Sequence, residues 1–224
     1  MNNTYEVYQL RVQFAQIINY NYIIVDQATR EAAIVDPAWD FGLITSRLEE
    51  LGARLTAVLL THSHEDHVNL AAPLAHKYNC NVYMSAQEID AYGFTAPNLH
   101  AVQDEDVIWV GKTAVTCLVT PGHTPGGCCY LLSNSMFTGD TVFIEGCGIC
   151  ANEQAALSMY HSFQRIKRRV HPDVYIYPGH SFGQQPGHKL SYLYRCNIYF
   201  QLDDPNHFVS FRTRRNQQNL FSFK

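Results

Sequence analysis

The stretch Thr61-His62-Ser63-His64-Glu65-Asp66-His67 places four candidate metal ligands within six residues. It follows an apolar run, Leu55-Thr56-Ala57-Val58-Leu59-Leu60, that reads as a buried strand. Residues two apart on extended backbone face the same way, so His62 and His64 can aim at one point. A helix beginning near Glu65 sets Asp66 and His67 in its first turn, aimed at a second point close by. The segment is therefore expected to serve two metal ions.

Three more residues share this layout. His123 lies in Pro121-Gly122-His123-Thr124-Pro125-Gly126, Asp140 in Thr138-Gly139-Asp140-Thr141, and His180 in Pro178-Gly179-His180-Ser181. Each follows an expected strand and adjoins a glycine that permits a tight turn. Three nitrogen or oxygen ligands hold one ion and leave a position open, as a catalytic zinc requires. Asp140 has two oxygens and can bridge two ions. Together the seven side chains suit a two-metal centre.

Strands and helices alternate around these loops. Strands are expected over residues 7–14, 20–26, 32–35, 55–60, 81–84, 107–110, 114–120, 128–132, 135–138 and 174–177. Helices are expected over 40–51, 68–78 and 153–170. The chain lacks a strict βαβ rhythm, which argues for two sheets flanked by helices, an α/β (α+β) arrangement. No repeat or linker interrupts it, so residues 1–210 are expected to form one domain, with 211–224 as its basic C-terminal tail.

Composition narrows the function classes. The 224 residues are 46% hydrophobic and carry a formal net charge of −4, so no global field favours nucleic acid. No run approaches the ~18 apolar residues of a membrane span. The start, Met1-Asn2-Asn3-Thr4-Tyr5-Glu6, lacks the basic and apolar regions of a signal peptide. Seven cysteines without regular spacing fit a reduced, cytoplasmic chain. Cys147-Gly148-Ile149-Cys150 follows the Asp140 loop rather than opening a helix after a first strand, so it is not read as a redox motif. His76, His100, His161, His171, His188 and His207 have no motif context and are read as structural.

With these motifs quoted, the chain resembles metallo-β-lactamase-fold hydrolases, and within them the glyoxalase II branch. Ala33-Ile34-Val35-Asp36-Pro37, Phe137-Thr138-Gly139-Asp140-Thr141-Val142-Phe143 and Gly146-Cys147-Gly148 extend the match nearly end to end. The resemblance implies a four-layer αββα sandwich with metals at one edge. It assigns His62, His64 and His123 to one ion, Asp66, His67 and His180 to the other, and Asp140 between them. Asp36 would orient a ligand histidine. Two zinc ions per chain are implied, with iron or manganese as alternatives. Hydroxide bridging the ions would attack a carbonyl carbon, with Asp66 and Asp140 as catalytic carboxylates. The branch favours a thioester substrate.

The substrate is read from departures. Glyoxalase II enzymes carry a basic residue after Gly-Cys-Gly, where this chain has Ile149, and a tyrosine where it has Phe182. Arg212 and Arg215 are spaced like the basic pair those enzymes use for the glutathione carboxylate. A closer resemblance is to the stand-alone zinc hydrolases encoded with trans-acyltransferase polyketide synthases, carried by the compact length, His180-Ser181-Phe182-Gly183 and Asn197-Ile198-Tyr199-Phe200. That family implies removal of acyl groups from acyl carrier protein. Phe143, Ile149 and Phe182 would form an apolar wall, and Arg212, Arg214 and Arg215 would meet a phosphate or the acidic carrier. The alternatives are a glutathione or other small thioester and, from another class, a mononuclear iron dioxygenase acting on persulfides.

Overall fold

In the computed structural model, which describes residues 4–215, twelve strands form two six-stranded sheets. The first sheet runs in chain order: β1 (Tyr5–Phe14), β2 (Ile17–Asp26), β3 (Glu31–Val35), β4 (Arg54–Leu59), β5 (Asn81–Ser85) and β6 (Leu99–Val102). The second is β7 (Val107–Val110), β8 (Thr113–Val119), β9 (Cys128–Leu131), β10 (Ser135–Gly139), β11 (Tyr175–Pro178) and β12 (His188–Lys189).

Period-two alternation on buried strands builds the layers. On β2, Tyr22 and Ile24 face the core between the sheets, where they meet Val35, Leu59, Val115, Cys117, Tyr130 and Phe137. Ile23 and Val25 face the other way and pack on helices α1 (Phe41–Glu50) and α3 (Ala71–Tyr78) through Ile44, Leu48 and Leu74. Outside the second sheet, Met159, Phe163 and Ile166 of α5 (Glu153–Arg169) pack with Leu190 and Leu193 of α6 (Leu190–Cys196) and Phe208 of α7 (Pro205–Arg212). The result is the expected αββα sandwich.

Topology brings the loops of interest to one edge. β3 and β4 are parallel, so their C-terminal ends coincide. β8 and β10 are each antiparallel to β9, and β10 is parallel to β11, so these three also end together. Hydrogen bonds clamp the two edges: Cys128 N donates to Thr61 O at 2.8 Å, and Tyr20 N to Gly179 O at 2.9 Å.

Several elements differ from the sequence reading. The helix expected to begin near Glu65 is the one-turn α2 (Glu65–Val68), and the helix expected over 68–78 starts only at Ala71 as α3, because Leu70 N turns away to donate to Pro37 O. Helix α4 (Ala86–Tyr92), β6, α6 and α7 were not expected; all are short, so their periodicity is weak. The expected tail boundary at residue 210 falls inside α7, whose Phe208 stacks edge-on against Phe163, so the chain up to Arg212 belongs to the packed unit. Residues 216–224 lie outside the described residues.

Asp26 ties the sheets at the opposite edge. Its buried carboxylate accepts from Thr29 N and Thr29 Oγ1 at 2.8 Å and from Thr113 Oγ1 of β8 at 2.7 Å. Burial opposes ionisation, but the Thr113 and Thr29 hydrogen bonds outweigh it and hold the carboxyl below its usual range. The stability it adds is therefore present above the ordinary carboxylate range and lost as pH falls through the folded-state value. Asp26→Asn is expected to lower the unfolding free energy at pH 7 by about 1–3 kcal/mol in urea denaturation, with the deficit narrowing in acid.

Candidate metal centre

The candidate ligands sit on loops past strand ends or, for Asp66 and His67, on the short helix α2, and neighbouring side chains and carbonyls orient them. Asp36 ends β3 with φ 47°. Its Oδ1 accepts from Thr61 N at 2.8 Å, and its Oδ2 accepts from Thr61 Oγ1 at 2.6 Å and from His67 Nδ1 at 2.9 Å. That last bond leaves His67 Nε2 pointing at the site. His62 Nδ1 meets Thr61 Oγ1 at 3.0 Å, His123 Nδ1 donates to Ile149 O at 2.8 Å, and His180 Nδ1 donates to Ile18 O at 2.7 Å. Each contact sets the tautomer that leaves an Nε2 lone pair inward.

The inward atoms form two groups. His62 Nε2 and His123 Nε2 lie 3.1 and 3.0 Å from His64 Nδ1. Asp66 Oδ2 lies 3.3 Å from His180 Nε2 and 3.5 Å from His67 Nε2. Asp140 stands between: Oδ1 is 3.5 Å from His67 Nε2 and 3.6 Å from His180 Nε2, and Oδ2 is 3.6 Å from His123 Nε2. A tetrahedral ion with bonds of ~2.0–2.1 Å holds its ligand atoms about 3.3 Å apart. The residues fit such ions on a second count: His67 Nε2 and Asp140 Oδ1 are buried without a hydrogen-bond partner. All seven predicted ligands and Asp36 are thus brought together.

Electrostatics point the same way. Burial, reinforced by the neighbouring imidazoles of His67 and His123, pushes His62 well below its usual range, so it is neutral and ligand-ready. His64 is lowered by burial and by His123. Burial works against ionised Asp66, yet the His180 hydrogen bond, the charge of His67 and Asn19 hold its carboxyl well below the usual range. Burial opposes charge on His67 too, but Asp140, Asp36 and Asp66 raise it to about 9. The carboxylates demand a cation, and without metal a proton on His67 serves.

Close packing at the loops requires glycine at several positions, among them 139 and 179. Gly139 has φ 46°, and a side chain there would run into Thr61. A Cβ on Gly179 would come within 2.5 Å of His67 Cε1.

Sequence reading missed Glu88, which is fully buried on α4. Its Oε1 accepts from Ser63 N and Ser63 Oγ at 2.9 Å, and its Oε2 from Gly126 N at 3.0 Å. One carboxylate thus joins the loop of His62 and His64 to the loop of His123. The available signal was the helix-capping pattern Ser85-x-x-Glu88, in which Ser85 Oγ accepts from Glu88 N at 3.1 Å.

Above the centre opens a cleft of about 750 Å³, with His64, Asp66, His123, Asp140 and His180 in its floor and Phe143, Ile149 and Phe182 in its wall. Arg212, expected to meet a phosphate or the carrier, lines the cleft but is engaged in internal contacts. It is only 5% exposed and donates to Tyr199 OH at 3.0 Å and to Cys147 O at 3.5 Å, so it braces the cleft from within. Arg215 is exposed and does not line the cleft; Arg214 does, its guanidinium 3.9 Å from the Phe211 ring. All seven cysteines are unpaired, and burial pushes the Cys147 and Cys150 thiols up to about 11 and about 12, which keeps this pair protonated near neutral pH and unsuited to redox chemistry.

A family model described as the metallo-beta-lactamase superfamily matches residues 18–180, the span from the second strand to the last ligand. The chain belongs to the metallo-β-lactamase superfamily. Within it, the chain is 53% identical over its full length and that of the "Probable polyketide biosynthesis zinc-dependent hydrolase PksB" of Bacillus subtilis (strain 168). It is 51% identical, again over both full lengths, to the similarly described BaeB of Bacillus velezensis. Among solved structures of the superfamily, a metallo-β-lactamase from Staphylococcus aureus superposes with a TM-score of 0.86 at 28% identity, covering 96% of this chain and 68% of that one. ETHE1 from Myxococcus xanthus superposes at 0.83 and 26% identity, covering 96% and 95%. Among the described residues, no helix is long and apolar enough to cross a membrane.

Two outcomes follow for the centre. Zinc binding must displace the proton on His67, so affinity is expected to rise with pH up to about 9 and fall below it, and zinc added near pH 7.5 should release protons. Calorimetry in buffers of differing ionisation enthalpy measures both. Glu88→Gln, which places an amide against Ser63 or Gly126 donors, is expected to weaken zinc binding about 10- to 100-fold in chelator competition.

Proposed function

We propose that this chain is a zinc-dependent hydrolase of polyketide biosynthesis that cleaves acyl thioesters carried on acyl carrier protein. The carrying observation is the joining of two convergent ligand triads to an apolar cleft directly above them. The names of the 53% and 51% identical relatives support zinc dependence and the biosynthetic setting.

His62, His64 and His123 would hold one ion and Asp66, His67 and His180 the other, with Asp140 facing both. Ions there would supply an acidified water and positive charge for a carbonyl oxygen. The chain's own residues do the rest. Asp66 and Asp140 carboxylate oxygens accept hydrogen bonds from the attacking water and aim it at the thioester carbon. The water oxygen forms the new C–O bond, the C–S bond breaks, and the thiol leaves with the water proton. Phe143 and Phe182, with ring centroids 6.2 Å apart, exclude bulk water beside His180. Ile149, about a third exposed at the wall, offers an acyl-pantetheine arm an apolar contact where a glutathione site presents a cation.

Mass spectrometry of an acylated carrier protein tests the reading. Wild-type enzyme is expected to remove the acyl mass, and Asp66→Ala to slow removal by about 10²- to 10⁴-fold. Rapid turnover of lactoylglutathione with none of the carrier would reverse the assignment. One iron per chain with oxygen uptake would sink the hydrolase. Ile149→Arg is expected to shift the kcat/KM ratio toward glutathione thioesters by about tenfold, the effect of a single favourable contact of ~1.4 kcal/mol.

A further inference from the structure

Helix α2 carries Asp66 and His67 but has only four residues, too few to hold its own orientation. Something outside it must fix the Asp66 carboxylate. Asn19 of β2, only 1% exposed, reaches it: Nδ2 donates to Asp66 Oδ2 at 3.0 Å and to Asp66 O at 2.9 Å. The other end of that amide is set by a second residue. Trp39 Nε1 donates to Asn19 Oδ1 at 2.7 Å. An indole N–H only donates, and a carboxylate and a carbonyl only accept, so this network admits a single orientation of the amide.

Trp39 is itself pinned. It sits at φ 66°, a left-handed conformation that a bulky residue rarely adopts without support. The support comes from α2: Trp39 N donates to Asn69 Oδ1, on the residue capping that helix, at 3.0 Å. Its ring stacks on Phe14 of the β1–β2 hairpin, centroids 4.9 Å apart and planes 20° apart. Trp39 thus grips α2 twice, directly through Asn69 and through Asn19.

We propose that Trp39 and Asn19 form a positioning relay that orients the Asp66 carboxylate toward His67 and His180. Its effect is confined to the metal site built on that triad. The inference rests on reading Asp66, His67 and His180 as a zinc site, and not on the identity of the substrate. Asn19 and Trp39 touch no reacting atom and act through Asp66.

Zinc titration of the metal-free full chain under chelator competition tests it, with the Asp66-dependent step assigned by its loss in His180→Ala. Asn19→Leu keeps the branched shape of the side chain and removes the donor. It is expected to weaken that step about 10- to 100-fold and leave the His62–His64–His123 step unchanged. Trp39→Phe keeps the ring against Phe14 and removes only the N–H; it should weaken the same step to a smaller extent and still reports if Asn19→Leu does not fold. The double variant should bind no worse than Asn19→Leu alone, because the two act in series. Unchanged zinc binding in both single variants, additive losses in the double variant, or equal weakening of both steps together with a lowered melting temperature would overturn the relay. Absence of thioesterase activity alongside the expected zinc shifts would instead count against the proposed substrate.

Discussion

Everything at this edge of the sandwich answers one constraint: three carboxylates, Asp36, Asp66 and Asp140, converge on imidazoles in a largely buried space. Buried anions are tolerated only when paired or bound to metal. Asp36 pairs with Thr61 and His67, but Asp140 leaves an oxygen with no partner and His67 a nitrogen likewise. Those two atoms face each other at 3.5 Å, which is a place for a cation rather than a packing error. The strand ends, the glycines at 139 and 179 and the buried Glu88 all serve to bring this charge together and keep it there.

The seven ligands are legible in the sequence because each lies in a short local pattern just beyond a β-branched run. Asp36 is legible only through resemblance, since an Asp-Pro pair also makes ordinary turns. Glu88, Asn19 and Trp39 escape for a physical reason. Each acts across a separation that sequence patterns do not span: Glu88 reaches back 25 residues to Ser63 and forward 38 to Gly126, and Asn19 reaches 47 residues to Asp66. Their signals in the chain are those of a cap, a strand residue and a loop aromatic. Arg212 misleads in the opposite sense. Its place in a run of basic residues reads as a contact for a phosphate or an acidic carrier, yet Phe208 one turn earlier anchors α7 and the guanidinium turns inward to Tyr199 and Cys147.

Reaction and substrate are separated in space. The metal-site floor is built from both sheets, whereas the cleft wall comes from the loop after β10 and from the segment after His180. Asn197 fixes the former, its Nδ2 donating to Phe143 O at 2.9 Å and Gly146 O at 2.8 Å. The segment capping α6 therefore shapes the wall. Substitutions at Ile149 or Phe182 would reshape the cleft wall and leave the side chains of the floor in place, in keeping with function residing in sites grafted onto a common fold.

Each ligand triad draws from both sheets. His62 and His64 follow β4 of the first sheet, and His123 follows β8 of the second; Asp66 and His67 lie on the first side, and His180 follows β11 on the second. An ion bound by either triad therefore cross-links the sheets at the edge where their loops meet. Since no such arrangement of ligands survives unfolding, the binding free energy adds to the stability of the sandwich, by RT ln(1 + [L]/Kd) for each site. Without ions the same edge holds close-set, buried imidazoles, and burial, reinforced by its neighbours, keeps His62 neutral. Backbone bonds such as Cys128 N to Thr61 O, and the Glu88 bridge between loops, hold the two sides of that edge together without an ion.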